Sequence, residues 1–154
     1  MTLETLKIMV ELQMDIKGSC LCGNVKFKIS DIGNKIYQCH CSLCRKQGGA
    51  ASNTGTVVPL GQLEWLKGGE YIKSWVKSTG FRSDFCNNCG SIVPNPLREY
   101  DYYWVPVGTL DDADFKIIMS IYTESKAPWG ILAPHADQHE TMPDFEEFIA
   151  LLRS

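Results

Sequence analysis

Residues 24–30, NVKFKIS, alternate apolar and polar positions, the period-two pattern of a strand with one buried face. Five further segments read as strands: TGTVVP (54–59), LEWLKG (63–68), YIKSWVKS (71–78), DYYWVPVG (101–108) and FKIIMSIY (115–122). Gly61, Gly68-Gly69, Gly80, Pro94, Pro96 and the acidic pair Asp111-Asp112 punctuate them. Near the C-terminus the period lengthens. MPDFEEFIALL (142–152) predicts a helix opened by Pro143 or Asp144, with Phe145, Phe148, Ile149 and Leu152 on one face. At the other end, Leu3, Leu6, Met9, Val10 and Gln13 fall near helical spacing. Residues 1–17 therefore read as a short helix over 3–13 or as a loosely packed extension. Residues 18–154 read as one mainly β domain, without repeats or linkers.

The chain has 154 residues, of which 44% are hydrophobic, enough for an ordinary single core. A net charge of −3 leaves no basic footprint, which excludes phosphate-led binding of nucleic acid. No apolar run approaches the roughly 20 residues of a membrane span. The N-terminal segment carries Glu4 and Glu11 and lacks the basic start of a signal peptide. The expected location is the reducing cytoplasm, where clustered cysteines hold metal more often than they form disulfides.

Cysteine is where the chemistry concentrates. The seven fall into three groups: Cys20-x-Cys22, Cys39-x-Cys41-x-x-Cys44 and Cys86-x-x-Cys89. An odd number prevents complete pairing. Gly23 and Gly90 follow the outer groups and suit sharp knuckle-like turns. Zinc prefers thiolates, closing structural sites with four protein ligands and leaving a position open in catalytic ones with three. Seven thiolates make one site of each kind. Spacing alone leaves two partitions open. Cys41, Cys44, Cys86 and Cys89 form a zinc ribbon in one; Cys20, Cys22, Cys86 and Cys89 close a site in the other. Local geometry favours the second, because a trio within six residues wraps one metal face with little loop ordering.

The succession GSCLCGNVKF, CHCSLCRKQGGA, FRSDFCNNCGS, with PVGTLDD and SKAPWG downstream, resembles the glutathione-dependent formaldehyde-activating enzyme family, which includes the centromere protein V domain. The likeness runs from about Gly18 to about Phe148. It implies a β-tent fold of small antiparallel sheets around zinc. By this resemblance Cys20, Cys22, Cys86 and Cys89 are structural zinc ligands, and Cys39, Cys41 and Cys44 are catalytic ones. Three positions depart from it: Gly48 stands where many members have serine, Ser120 near a histidine position, and Gly130 where a bulky aromatic is common.

Such a site suits addition of a small glutathione-like thiol to a formaldehyde-like aldehyde; formally the enzyme is a carbon–sulfur lyase. The alternatives are a non-catalytic zinc-stabilised binding module and a redox-sensing zinc protein. His40 lies between two cysteines, but alternation turns its side chain away from both, which predicts a supporting role. Arg45, Lys46 and Arg82 are candidate partners for substrate carboxylates, each equally readable as a solvated charge. His135 and His139 are four apart, yet Pro134 predicts a loop there rather than a metal pair. Trp65, Trp75 and Trp104 fall in strand candidates and read as core, and Trp129 reads as a pocket wall. The sequence names neither the true substrate nor the oligomeric state.

Overall fold

A computed structural model describes the backbone of residues 1–154 and the side chains of all but residues 9–14. The chain opens with helix α1 (Leu3–Met14), capped where the Thr5 N–H donates to Thr2 Oγ1 at 3.1 Å. Its predicted apolar face is only half described, since Met9, Val10 and Gln13 lie outside the described side chains. The described half, Leu3 and Leu6, faces solvent.

Three sheets follow. The first joins β1 (Asp15–Ser19), β2 (Lys26–Ser30) and β5 (Leu63–Lys67) in the order β1-β2-β5, all antiparallel. Alternation in NVKFKIS does what it predicts: Val25, Phe27 and Ile29 are fully buried while Lys26 is exposed. The second sheet is built from β3 (Lys35–Cys39), β4 (Asn53–Pro59), β9 (Asn95–Pro96), β10 (Tyr102–Pro106), β11 (Lys116–Ile121) and β12 (Asp137–Gln138). Their spatial order is β12-β11-β3-β4-β10-β9. This sheet is mixed, because β11 runs parallel to both β3 and β12. The third sheet has the order β6-β7-β8, from β6 (Ile72–Val76), β7 (Arg82–Cys86) and β8 (Ile92–Val93).

Helix α2 (Ser42–Gly48) leaves β3 directly, and α3 (Phe145–Arg153) closes the chain. Asp144 caps α3, its carboxylate accepting from the Glu146 N–H at 3.2 Å. Phe148 and Leu152 on the predicted face are buried against Tyr37, Trp104 and Met119. The Phe148 and Tyr37 rings meet edge to face at 4.9 Å. The molecule is thus mainly β, with small sheets and three helices. Among the described residues no helix is long and apolar enough to cross a membrane.

Two tryptophans depart from their expected settings. Trp65 and Trp104 belong to the core, but Trp75 is 55% exposed. It sits on β6, an edge strand whose last four residues are all exposed, so alternation there has no covered face to mark. Trp129 is 68% exposed in the loop before α3.

Candidate metal centres and the adjoining cleft

The cysteines gather into two groups, Cys20 with Cys22, Cys86 and Cys89, and Cys39 with Cys41 and Cys44. Within each group all sulfurs lie within 4.8 Å of one another, and each group could hold a metal ion. In the group of four, Cys20 and Cys22 Sγ are 3.6 Å apart, and Cys22 and Cys86 Sγ 3.9 Å. A disulfide needs about 2.05 Å. A tetrahedron with bonds of about 2.3 Å has edges of about 3.8 Å, so these separations fit thiolates sharing one metal.

Local backbone explains the gathering. Two knuckles face each other, one after β1 and one after β7. The Gly23 N–H donates to the Cys20 carbonyl at 3.1 Å, and the Gly90 N–H to the Cys86 carbonyl at 2.7 Å. Both glycines take positive φ, 79° and 80°, as the turns predicted from their positions require. Ser91 ties the knuckles together: its Oγ accepts from the Leu21 N–H at 2.7 Å and lies 3.4 Å from Cys89 Sγ. That contact is the main reason the Cys89 thiol is held low, at about 5. Burial pushes Cys86 up, to about 11.

The trio forms at the junction of β3 and α2. Cys39 ends the strand, Cys41 caps the helix and Cys44 lies in its first turn. Cys41 Sγ accepts from the Cys44 N–H at 3.4 Å. Contacts with the Cys39 and Cys44 thiols hold Cys41 down at about 2, while the contact with Cys41 pushes Cys39 up to about 12. Cys44 is raised by Cys39 and Cys41 and by burial. A divalent soft metal fits this donor set, since three sulfurs converge on it and leave a fourth corner free.

Beside the trio lies a cleft of about 640 Å³. Cys39 and Cys44 form part of its wall, with Tyr37, Trp104, Gln47 and Asn53. The β6–β7 hairpin contributes Val76, Gly80, Phe81 and Arg82, and the segment after β8 contributes Asn95 to Arg98. The Trp104 indole N–H donates to Tyr37 Oη at 2.8 Å. Burial, and then the Cys44 and Cys39 thiols, hold the Tyr37 phenol well above its usual range. The cysteines of the four-membered group do not line this cleft.

Other residues singled out in the sequence fall differently. His40 is fully buried, outside the cleft wall, and neither ring nitrogen has a partner among the described residues. Burial, and then Lys126, push its pKa below the ordinary value. Arg45 and Lys46 do not line the cleft. Arg82 does, but its guanidinium is taken by Asp84, at 2.8 and 3.0 Å. Trp129 is not a wall of this cleft; its indole is largely in solvent. His135 is exposed, and among the described residues neither His135 nor His139 belongs to a metal-ligating group. Sequence reasoning missed Tyr37 and Gln47. Both carried a signal: Tyr37 is two before Cys39 on one strand, and Gln47 three after Cys44 on one helix. Arg98 and Asn95, contributed by a short segment distant in sequence, carried none.

A family model described as glutathione-dependent formaldehyde-activating enzyme matches residues 15–125, which include all seven cysteines. No curated protein matches the chain. The crystal structure of a Rhodobacter sphaeroides protein, a structural-genomics target, is similar at a TM-score of 0.53 and 25% identity. That match covers 64% of this chain and 90% of the other.

Proposed function

The chain belongs to the glutathione-dependent formaldehyde-activating enzyme family, and we propose that it joins a small glutathione-like thiol to a formaldehyde-like aldehyde, a carbon–sulfur lyase-type reaction. In this reading Cys39, Cys41 and Cys44 hold a catalytic zinc, and Cys20, Cys22, Cys86 and Cys89 a structural one. One observation carries it: among the described residues, the three-membered cysteine group, and not the four-membered one, shares a wall with the cleft of about 640 Å³, room enough for a substrate.

Cys39, Cys41 and Cys44 would hold the zinc, which would lower the pKa of an incoming thiol so that it loses its proton to solvent and reacts as thiolate at neutral pH. The thiolate sulfur adds to the carbonyl carbon, the π pair moves to oxygen, and that oxygen takes a proton to give a hemithioacetal. Tyr37 is the group of this chain suited to the oxygen. Its Oη accepts from Trp104, which leaves its own O–H to donate, and its raised pKa keeps that proton in place. Trp104 and Phe81 contribute apolar wall to the cleft.

The test is formation of the glutathione–formaldehyde adduct by zinc-loaded protein, after subtraction of the spontaneous rate. Cobalt-substituted protein should also change its visible spectrum on adding glutathione, as a new thiolate enters the coordination sphere. Neither acceleration nor a spectral change would remove this reading.

A further inference from the structure

Two arginines line the cleft, and only one is available to a ligand. Arg82 is held by Asp84 through a bidentate pair, and its Nη2 also donates to Ser74 Oγ at 3.1 Å. Asp84 is 3% exposed, so this pair is a closed, neutral unit. Arg98 is exposed and, among the described residues, makes no ion pair. Its guanidinium lies along Gly80 at the tip of the β6–β7 hairpin. A Cβ at Gly80 would sit 3.0 Å from Arg98 Nη1 and 3.8 Å from its Cδ. Gly80 has φ +98°, a backbone state L side chains rarely adopt, so the turn itself keeps this seat open.

The sum of charges makes Arg98 decisive. Three thiolates on a divalent ion leave a net −1 at the trio, and the Arg82–Asp84 pair cancels. Without Arg98 the cleft repels a carboxylate; with it, a ligand meets a fork of donors matched to carboxylate geometry. We propose that Arg98 is the residue that selects thiols bearing a carboxylate, pairing with that carboxylate while the thiol reaches the Cys39 and Cys44 side. This deepens the reading above and rests on it for the thiol end of the ligand.

The test titrates zinc-loaded wild type, Arg98→Gln and Arg98→Lys calorimetrically with glutathione and with glutathione diethyl ester. Wild type should bind glutathione more tightly than the ester. Arg98→Gln should weaken glutathione binding by about tenfold or more, the effect of losing a charge-assisted pair, and leave ester binding unchanged. Arg98→Lys should recover part of the loss, keeping the charge without the fork. Glutathione binding by Arg98→Gln equal to wild type, equal weakening of both thiols, or a wild type that binds the ester as tightly as glutathione overturns the proposal. The two readings separate cleanly. Glutathione binding that needs Arg98 but yields no adduct removes the reaction and keeps Arg98. Adduct formation with glutathione binding unaffected by Arg98→Gln does the reverse, and a wild type that binds neither thiol overturns both.

Discussion

Two residues of the trio's neighbourhood do unlike work with buried polar groups. In the proposed reaction Tyr37 would keep a proton for a developing alkoxide, because burial, and then the Cys44 and Cys39 thiols, hold its phenol well above the usual range. Tyr37→Phe should preserve the ring contact with Phe148 and leave KM nearly unchanged. Its kcat should fall by about 10²- to 10³-fold, the usual effect of removing one oxyanion donor. Steady-state kinetics above the spontaneous reaction measure this, and an unchanged kcat would exclude Tyr37 from proton handling. His40 is held neutral by burial, with Lys126 adding to the effect. Its folded pKa is depressed, so below the ordinary histidine value of about 6.5 the unfolded chain binds a proton that the folded one refuses. Stability contributed by neutral His40 is therefore present above that pH and lost as pH falls through it. Urea midpoints measured from pH 7.5 to 5.5 should drop more steeply for wild type than for His40→Gln; parallel slopes would contradict the assignment.

Among the elements, α3 is the brace behind the cleft. Phe148 is 2% exposed and meets Tyr37 edge to face, so Phe148→Ala opens a cavity under the cleft wall. It should cost about 3–5 kcal/mol and lower Tm by about 10 °C, readable by thermal denaturation, with a further loss of any adduct-forming activity. A Tm within error of wild type would show that α3 does not brace Tyr37. This helix was legible in the sequence down to its Asp144 cap, because a buried stripe and a capping carboxylate are local signals. The strands carrying alternation were equally plain. β3 and β7 were not: IYQC buries the adjacent Ile36 and Tyr37, which breaks the alternation, and SDFC alternates beside cysteines whose pattern suggests ligands first. The gathering of the cysteines into a four and a three was only half legible. Spacing admits the ribbon partition as well, and what separates them is the meeting of two knuckles 64 residues apart between Cys22 and Cys86, a fact of topology. Trp75 shows the opposite failure: a strand with the right composition but no layer covering it.

At the scale of the molecule, the proposed function assigns holding to one cysteine group and reacting to the other. The four-membered group joins the first sheet to the third, so metal affinity there is folding energy. Cys86→Ser should give unfolded or insoluble protein, whereas Cys41→Ser should keep the fold by circular dichroism and lose thiol–aldehyde activity. With one protein ligand fewer, the trio should lose its metal first under mild chelation, the fold persisting. Metal analysis paired with circular dichroism follows both steps, and simultaneous loss of both metals with unfolding would contradict two independent sites. Synthesis of the chain runs this order in another direction. The trio is complete once Cys44 has emerged, but the four-membered group waits for Cys89, 45 residues later in the sequence. During translation the trio is thus the earlier group ready for metal, and Cys20 and Cys22 remain open thiols until their partners arrive. A cell short of zinc, or one under oxidant stress, would leave its mark on this chain in that interval, before any fold exists to protect it.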